Sequence, residues 1–500
     1  MEPKLKILMV VSECTPFAKT GGLADVAGAL PKALASLGHD VRVILPYYTR
    51  KIDARQWGIT RLPGALDVPM GGGETRHQLT AHLHETRLPG SQVPVYLVSQ
   101  DAFFDREELY RTDEGDYEDN AARFGFFSKA ALAACKHLEF QPDLVHCNDW
   151  HTALVPVYLK TLYSHDSFFS ATATVFTIHN LAYQGLFSRA IMQATGLPDS
   201  TFSVDGLEFY GQVNFMKGGI IFADMVSTVS ERYSQEIQTA EYGFGLEGIL
   251  QRRSADLRGI VNGIDTGDWS PEGDAYLPLR YDRDHLEGKA EVKKRFLKEL
   301  GLEPLEDHAL VGMISRLDSQ KGFDLLSEII DYLMNLKIQF VILGTGDRKY
   351  HELLERIRSH YPDKASTHLV FSNELAHKIA AASDLFLMPS RYEPCGLNQI
   401  ISLRYGTVPV VRATGGLADT VHEFDPSDES GNGFIFHEYN SMAFFNAIQR
   451  ALEVYETRPD QWKGLMRRGM AEDHSWTASA RRYEDLYRGA LAKKIPGPGA

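Results

Sequence analysis

The chain lacks paired cysteines, long apolar runs and an excess of positive charge. Its four cysteines are scattered through 500 residues without a C-x-x-C pair, which argues against a structural zinc site or a disulfide framework. No apolar stretch is long enough to span a bilayer. The net charge of −14 gives no general attraction to nucleic acid or to an anionic membrane, so any bound phosphate must be held by local cations. We therefore expect small ligands, and neither a nucleic acid nor a membrane as partner.

The length of the chain and its N-terminal residues predict the number of domains and the location of the protein. With 500 residues, of which 44% are hydrophobic, the chain is expected to form two domains of roughly 200 to 250 residues each. Residues 1–6 do not have the layout of a secretory signal peptide. Together with cysteines that we expect to be reduced, this predicts a cytoplasmic protein. Nothing in the sequence indicates an oligomeric state.

Short β-branched runs alternate with amphipathic stretches, which is typical of α/β domains with parallel sheets covered by helices. In the first half, strands are predicted at residues 6–11, 41–45, 93–98, 144–147, 174–178 and 225–229. The helix after the first strand is predicted over residues 23–37 and ends before Gly38. The pattern restarts with a helix from Leu325 and strands at residues 309–315, 339–343, 368–371 and 385–388. This restart predicts a second α/β domain.

The segment between the two series, residues 262–288, contains Asn-Gly, Ser-Pro and Gly-Asp turn signals and many aspartates, as expected of an exposed linker or a hinge. We therefore predict domains over residues 1–262 and 263–478, followed by a last portion, 479–500. A long helix is predicted over residues 477–493, and the tail from 495 to 500 is predicted to fray. Ligands of open α/β sheets lie beyond the carboxyl ends of the strands, and most unusual motifs of this chain follow a predicted strand.

The hexapeptide Thr-Gly-Gly-Leu-Ala-Asp occurs twice, at residues 20–25 and 414–419. Each copy follows a strand-like run and precedes the start of a predicted helix. Glycine lets a backbone approach a ligand closely, and helix N termini attract anions. Only the first copy is preceded by a lysine, Lys19. The two copies therefore indicate phosphate-binding turns, although glycine pairs that merely allow tight strand-to-helix packing would give the same pattern.

Three further motifs follow predicted strands of the second domain. Arg316 and Lys321 leave one strand end together and can hold a pyrophosphate, although a solvated basic loop is the commoner case. Gly344 opens a Gly-Thr-Gly-Asp turn in which a nucleotide can lie against exposed backbone. Glu393 lies between two prolines that fix the backbone, so its carboxylate can accept hydrogen bonds from sugar hydroxyls. A surface or ion-paired carboxylate is the alternative.

Taken in order, these motifs resemble those of the bacterial glycogen synthases and the related plant starch synthases. The matching segments are residues 19–25, 177–180 (Thr-Ile-His-Asn), 315–322, 393–397 and 414–419. The resemblance runs from about residue 4 to residue 490. It implies a GT-B fold, in which two Rossmann-like, doubly wound α/β domains face each other across a deep cleft and the last helix crosses back onto the first domain. It also implies retaining transfer of glucose from ADP-glucose to the non-reducing 4-hydroxyl end of an α-1,4-glucan such as glycogen, without a metal or other cofactor.

The resemblance also implies roles for single residues on the donor side. Lys19 would reach the phosphates or the glucose of the donor, and Arg316 and Lys321 would neutralise the departing ADP. The backbone N–H groups of Gly415 and Gly416 would complete the phosphate cradle, and Glu393 would bind hydroxyls of the transferred glucose. The remaining positions expected to bind ADP-glucose are Gly21, Gly22, Asp25, Gly344, Cys395, Gly396, Leu397 and Thr414.

Four residues are expected beside the glucose or on the acceptor side. By resemblance, His179 would lie beside the glucose, Asp149 near the incoming 4-hydroxyl, and Tyr183 farther along the acceptor. A lone histidine at a strand end is otherwise most often a structural residue. Trp150 is either a sugar-stacking ring or a core aromatic, and Tyr183 has the same alternative.

Several alternatives stay open at this point. No D-x-D motif follows a strand as it does in metal-dependent sugar transferases, and the acidic run at residues 113–120 is typical of a solvated loop. Retention can arise from double displacement through a glycosyl-enzyme or from front-face attack in which the leaving phosphate accepts the proton. The residues themselves indicate only a diphosphate sugar, so UDP-glucose is an alternative donor. An epimerase or small-acceptor transferase of the same fold and a non-catalytic sugar receptor are the competing functions.

Overall fold

The computed structural model describes residues 3–112 and 114–494 and divides them into two compact units. Unit 1 contains the described residues up to Val229, Ser234–Ile260 and the residues from Trp476 onward. Unit 2 contains Ser230–Tyr233 and Val261–Ser475. Asp113 of the acidic run and the tail predicted to fray lie outside the described residues. Within the described ranges, no helix is both long and apolar enough to cross a membrane.

Unit 1 is built on a ten-stranded sheet with two smaller sheets beside it. Its strands are β1 (Lys6–Val10), β2 (Asp40–Pro46), β3 (Thr60–Arg61), β4 (Leu66–Met70), β5 (His77–Arg87), β6 (Pro94–Ser99), β7 (Arg111–Thr112), β8 (Gly115–Asp116), β9 (Leu144–Asn148), β10 (Ala173–Ile178), β11 (Leu186–Phe187), β12 (Glu208–Phe209), β13 (Gln212–Asn214), β14 (Met225–Thr228) and β15 (Leu257–Gly259). The large sheet has the order β15-β14-β10-β9-β1-β2-β6-β5-β3, with β4 paired to β5. All pairs from β15 to β6 are parallel, and those involving β5 are antiparallel.

Helices connect and cover the strands of both units, and their numbering runs through the whole chain. In chain order they are α1 (Gly22–Ser36), α2 (Asp101–Phe104), α3 (Asn120–His137), α4 (Leu154–Lys160), α5 (Ile191–Thr195), α6 (Phe215–Phe222), α7 (Glu231–Glu236), α8 (Glu247–Arg252), α9 (Glu287–Glu299), α10 (Phe323–Met334), α11 (Arg348–His360), α12 (Asn373–Ala382), α13 (Asn398–Arg404), α14 (Gly415–Thr420), α15 (Ser441–Thr457), α16 (Pro459–Ala471) and α17 (Trp476–Ala492). The chain thus returns to unit 1 with its last helix.

The sequence explains the central elements of unit 1. The apolar run of β1 is fully buried because helices cover both faces of a parallel sheet. α1 ends at Ser36 and is followed by Gly38, whose φ of +100° stops the helix at little steric cost. α17 packs against α1 and β10, and the Tyr487 hydroxyl shares a 2.9 Å hydrogen bond with His146 Nδ1 on β9. This contact fixes the last helix beside the strand that ends at the candidate site of unit 1.

Unit 2 is a six-stranded, wholly parallel sheet with helices. Its strands are β16 (Ala309–Ile314), β17 (Ile338–Leu343), β18 (Ala365–His368), β19 (Leu385–Met388), β20 (Val408–Arg412) and β21 (Phe434–Phe436). Their order is β18-β17-β16-β19-β20-β21. The inner strands are continuous buried apolar runs, and α10 and α15 pack on each other beside them. The carboxyl ends of β16, β19 and β20 are therefore neighbours, which places the motifs that follow them together.

Two expectations for unit 2 were wrong in detail. Residues 262–288 are not a simple exposed linker, because Tyr281 is buried and its hydroxyl donates to the carbonyls of Ala381 and Tyr405. Asp274 in the same segment is buried and accepts from His377 and Tyr405. The strand predicted at residues 368–371 lies three residues earlier, as β18.

Candidate functional site

In unit 2 the candidate site consists of three loops that leave the carboxyl ends of β16, β19 and β20. The first two loops are joined directly, because Gln320 donates its side-chain amide to the carbonyl of Tyr392 at 3.0 Å and accepts from the Arg391 N–H at 2.8 Å. Gly322 has a φ of +76°, and a Cβ there would overlap the carbonyl oxygen of Pro389. The close approach of these two loops therefore requires glycine at this position.

Lys321 and Glu393 form the electrostatic centre of this site. The Lys321 ammonium lies 2.6 and 2.9 Å from the two carboxylate oxygens of Glu393, and both side chains are largely buried. The Ser390 hydroxyl donates to Glu393 Oε2 at 2.9 Å. A buried carboxylate held by an ammonium and a hydroxyl keeps a fixed position, because losing the ammonium would leave a buried charge uncompensated and losing the hydroxyl would remove a hydrogen bond to it. The structure thus brings together a cation and a carboxylate that lie 72 positions apart in the sequence.

Arg316 lies on the same loop as Lys321 but is more exposed. Its guanidinium is 3.6 Å from Asp318, and about half of its side chain is accessible. Asp318 caps the short 3-10 helix Ser319–Lys321 by accepting from the Gln320 N–H at 3.0 Å. This cap sets the direction in which Lys321 leaves the loop, whereas Arg316 is left in contact with solvent.

The second hexapeptide does not have the backbone that we expected. The Gly416 N–H donates to the carbonyls of Glu393 and Pro394, at 3.1 and 3.2 Å, so its hydrogen is already used inside the protein. A Cβ on Gly415, whose φ is +44°, or on Gly416 would overlap the carbonyls of Glu393 and Cys395 respectively. The expectation that the Gly416 N–H completes a phosphate cradle is therefore wrong for this structure. The pair serves the alternative purpose of letting two loops pack closely.

Gly344 is likewise a packing glycine. It is buried, its N–H donates to the His368 carbonyl at 3.0 Å, and a Cβ there would overlap the carbonyl of Ser315. The expectation that its backbone is exposed to a nucleotide is wrong, and the exposed part of the turn is the pair Thr345 and Gly346.

The other expected donor-binding residues of unit 2 support the loops from within. Cys395 is buried, and burial raises the pKa of its thiol to about 12. Gly396 has a φ of +70°, Leu397 is the N-cap residue of α13, and Thr414 is the buried N-cap residue of α14. These residues shape the backbone around Glu393.

In unit 1 the first hexapeptide is held by a glutamate that the sequence analysis did not single out. The buried carboxylate of Glu13 accepts from the backbone N–H groups of Thr20 and Gly21 and from the Thr20 hydroxyl. Burial raises the pKa of Glu13 although these donors act in the opposite direction. Lys19 lies 2.6 Å from Asp25, and both side chains are partly exposed. Asp25 therefore holds Lys19 through an ion pair, whereas the sequence analysis expects Asp25 to bind ADP-glucose.

Asp149 occupies a strained position directly after β9. Its φ is +54°, which is rare for a residue with a side chain, and its carboxylate accepts from the backbone N–H groups of His179 (2.7 Å) and Asn180. Full burial raises the pKa of this carboxyl to about 7, although the two N–H groups lower it. The contact ties the end of β9 to the end of β10, so Asp149 and His179 lie side by side in the structure.

His179 is buried and neutral. Its Nε2 lies 2.9 Å from the side-chain oxygen of Asn148, and burial lowers the pKa of its imidazole to about 3. His146, one strand neighbour away, is also buried, its pKa is lowered to about 3, and its Nε2 shares a 2.6 Å hydrogen bond with Thr177. The part of the unit 1 site around these two rings is thus poor in charge.

Trp150 is a core aromatic. It is only 9% exposed, stacks on His151 at 4.0 Å and meets Phe124 edge-on at 5.1 Å. A Cβ on Gly185 would lie 2.6 Å from its ring. Because neither face is open to a sugar, the sugar-stacking alternative for Trp150 is wrong. Tyr183, by contrast, is 53% exposed and remains available to a ligand.

The sequence analysis missed three residues that contact expected site residues, and a fourth, Phe371, that lies at the same edge of the unit 2 sheet as the site. Asn148, Glu13 and Ser390 are single polar residues at strand ends, and each contacts an expected site residue. Phe371 follows β18 at the carboxyl edge of the unit 2 sheet and is 82% exposed. Phe371 was the last residue of the strand predicted at residues 368–371, so its exposure was hidden by that prediction, whereas the partners of the other three are revealed only by the fold.

Comparison with known proteins agrees with the geometry of both units. A family model described as the starch synthase catalytic domain matches residues 6–252, and one described as glycosyl transferases group 1 matches residues 301–463. The chain is 50% identical over 495 residues to a glycogen synthase of Moorella thermoacetica, covering 99% of this chain and 98% of that protein. It is 50% identical over 490 residues to a glycogen synthase of Geotalea daltonii, covering 98% and 100%.

A solved structure of a starch synthase also matches this chain in fold. The catalytic domain of starch synthase IV from Arabidopsis thaliana, bound to ADP and acarbose, matches with a TM-score of 0.90 at 34% identity. The match covers 98% of this chain and 100% of that one.

Proposed function

The chain belongs to the glycogen synthase family of glycosyltransferases, and from this premise we propose that it transfers glucose from ADP-glucose to the 4-hydroxyl at the non-reducing end of an α-1,4-glucan, with retention of configuration. The predicted GT-B fold and the predicted enzyme class are confirmed. The observation that carries the proposed chemistry is the Lys321–Glu393 pair, because it holds a cation and a hydroxyl-binding carboxylate together at the carboxyl edge of a parallel sheet.

Lys321 and Arg316 stabilise the leaving diphosphate in this proposal. Transfer of glucose breaks the bond between the anomeric carbon and a phosphate oxygen, and negative charge grows on that oxygen. Cations that are already in place when the charge develops contribute most in a site from which water is excluded. An ammonium has three N–H donors, and the Glu393 carboxylate takes at most two of those of Lys321, which leaves one for a phosphate oxygen.

Glu393 binds the glucose hydroxyls. Its two oxygens provide several acceptor positions, and Lys321 and Ser390 occupy only part of them. The same two contacts make Glu393 a poor nucleophile, because its charge is already shared with an ammonium and a hydroxyl. In unit 1, the Asp149 carboxylate is buried and accepts from two backbone N–H groups. Neither carboxylate is available to form a glycosyl-enzyme, which supports direct front-face transfer.

Phe371 is proposed as the platform for the adenine ring. An aromatic side chain that is 82% exposed at the ligand-binding edge of a sheet buries its ring when a flat base stacks on it. Stacking alone does not distinguish adenine from uracil strongly, but the larger purine covers more of the ring.

The first hexapeptide and Lys19 are proposed to bind an anionic group of ADP-glucose. α1 is a 15-residue helix whose N-cap residue, Gly21, has no side chain, and a Cβ on Gly21 or Gly22 would meet no heavy atom within 4 Å. An anion can therefore approach the start of this helix closely, although the Gly21 N–H itself already donates to Glu13. Lys19 adds a full positive charge beside it.

Kinetics with two donors and a short acceptor test the proposal. With maltoheptaose as acceptor, we expect oligosaccharides lengthened by single α-1,4-linked glucose units and a higher kcat/KM with ADP-glucose than with UDP-glucose. Phe371→Ala should raise KM for ADP-glucose with little change in kcat, and Tyr332→Ala, another strongly exposed aromatic of unit 2, is the matched control. A preference for UDP-glucose, or products with inverted linkages, would contradict the proposal.

A further inference from the structure

The side chain of Asn148 has a fixed orientation between β1, β9 and β10. Its Nδ2 amide group lies 3.3 Å from the carbonyl of Val10 and 3.4 Å from the carbonyl of His146. Both carbonyls are acceptors, so they require the NH₂ side of the amide. The oxygen of Asn148 must then face the other way, where it lies 2.9 Å from His179 Nε2.

This orientation determines which nitrogen of His179 carries the proton. An amide oxygen only accepts, so the nitrogen opposite it must be Nε2–H. The ring is 9% exposed, and burial lowers its pKa to about 3, so it carries one proton and not two at neutral pH. Nδ1 is consequently the nitrogen without hydrogen.

Burial is the cause of the lowered pKa of the His179 ring, and among the residues that the structure describes no charged side chain raises it. Asp149 accepts from the backbone N–H of His179, and His146 on the neighbouring strand is itself buried with its pKa lowered to about 3. Asn148 itself is almost fully buried, and its backbone N–H donates to the Thr152 hydroxyl at 2.6 Å. The amide and the ring therefore form a fixed neutral pair.

We propose that Asn148 is a positioning residue that holds His179 as the Nε2–H tautomer, so that Nδ1 presents only a lone pair to a hydroxyl of the transferred glucose. The part of this inference that concerns glucose rests on the proposed function, whereas the tautomer does not. A nitrogen that can only accept a hydrogen bond favours a sugar that places a hydroxyl opposite it. A sugar that lacks this hydroxyl binds less well, because the nitrogen is then left buried without a hydrogen-bond donor. Asn148 thereby contributes to donor specificity without touching the donor.

Nuclear magnetic resonance of the ring nitrogens tests the tautomer in the unmodified, ligand-free protein. The chain has 18 histidines, so the His179 signals are assigned by their loss in His179→Gln. We expect a single neutral Nε2–H tautomer that does not titrate between about pH 5 and pH 8. A ring that titrates in this interval, or that carries its proton on Nδ1, would overturn the proposal whatever the donor is.

A set of monodeoxy ADP-glucose analogues tests the consequence for specificity. In the unmodified enzyme one analogue should lose about tenfold or more in kcat/KM relative to ADP-glucose. In Asn148→Leu that ratio should fall toward unity while the ratios for the other analogues stay unchanged, because only the acceptor at Nδ1 is disturbed. Comparing ratios between variants removes the intrinsic effect of each missing hydroxyl on reactivity.

The control variant is Asn432→Leu, which removes another buried asparagine whose oxygen accepts from the His422 N–H at 2.7 Å. It should lower the melting temperature and leave every analogue ratio as in the unmodified enzyme. If Asn148→Leu lowers kcat/KM equally for all donors, Asn148 has a structural role only. If no variant uses ADP-glucose, the proposed function fails, and the resonance experiment still decides the tautomer.

Discussion

The two Thr-Gly-Gly-Leu-Ala-Asp segments have one sequence and opposite surroundings. In the first copy, neither Gly21 nor Gly22 would meet a heavy atom within 4 Å if it carried a Cβ. In the second copy, a Cβ on Gly415 or Gly416 would overlap a backbone carbonyl of the neighbouring loop. The shared hexapeptide thus determines a turn and the start of a helix. Whether its glycines leave room for a ligand or for a second loop depends on the segments of the chain that pack beside it.

The same contrast holds for the carboxylates of the two units. Glu393 in unit 2 is paired with Lys321, whereas Asp149 in unit 1 has only backbone N–H partners and a pKa raised to about 7 by burial. His179 beside it is neutral. The Lys321–Glu393 pair of unit 2 therefore provides compensated charge, which suits a diphosphate, and the ends of β9 and β10 in unit 1 provide polar groups with little charge, which suit sugar hydroxyls.

The largest expected effect comes from removing the cation of unit 2. Lys321→Ala should lower kcat by about 10²–10³-fold, because the charge that develops on the leaving diphosphate loses its main partner. Lys378→Ala is the matched control, since Lys378 is equally buried and is paired with Glu299 and Glu374. Steady-state kinetics with ADP-glucose compare the two variants. Equal losses in both would show that Lys321 acts through stability alone.

The raised pKa of Asp149 predicts a pH-dependent stability in unit 1. The folded state keeps a proton that the unfolded state releases above its ordinary pKa of 3.8, so the free energy of unfolding falls as the pH rises toward about 7. The decrease amounts to at most about 4 kcal/mol. Asp149→Asn keeps an oxygen for the two N–H groups and removes the titration. Urea unfolding at several pH values should therefore show the two proteins diverging, and parallel profiles would contradict the assignment.

Alanine substitutions in the two hexapeptides separate their tasks. Gly416→Ala should cost about 3 kcal/mol of stability, because the new Cβ overlaps the Cys395 carbonyl and the loops must move apart. Gly22→Ala should be neutral or stabilise by about 0.5–1 kcal/mol, because Gly22 is the first residue of α1 and a Cβ there would meet no heavy atom within 4 Å. Thermal unfolding measures both. If Gly22→Ala lowers glucose transfer without lowering the melting temperature, the loss comes from weaker ligand binding at the first hexapeptide. Equal melting temperatures for Gly22→Ala and Gly416→Ala would contradict the difference proposed between the two hexapeptides.

The smallest expected difference concerns the last aspartate of each hexapeptide. Asp419 accepts from the Ser230 hydroxyl at 2.6 Å and from the Arg232 N–H at the start of α7, so Asp419→Ala should cost about 1 kcal/mol. Asp25 pairs with Lys19 where both are partly exposed, so Asp25→Ala should cost less than about 0.5 kcal/mol. Denaturant unfolding of the two variants would show the reverse order if the two aspartates had been assigned the wrong tasks.

The sequence predicts most of the fold because buried parallel strands are apolar runs that stand out from their surroundings. β19 lies at the predicted positions, Leu385–Met388. The error at β18 has a physical reason: the run Leu369, Val370 and Phe371 looks like a strand, but Phe371 is 82% exposed after the strand has ended. Periodicity does not reveal that an apolar residue points to solvent.

The candidate site was predictable where a motif carries its own backbone geometry and not where it depends on distant partners. The loops with Lys321 and Glu393 follow adjacent strands, so the edge rule places them together. The engagement of the Gly416 N–H depends on a carbonyl 23 positions earlier, and the contact between Asn148 and His179 spans 31 positions. A single amino-acid sequence does not reveal which residues at such distant positions contact each other. The domain boundaries, the donor and acceptor roles and the cytoplasmic location stay predictions.

The most direct test is the molar ratio of ADP released to glucose incorporated into glycogen during incubation with ADP-glucose. If unit 2 activates ADP as a leaving group and the glucose is passed to a glucan, the two amounts should be equal throughout the reaction. Release of ADP without growth of the glucan, or no release of ADP, would contradict the account.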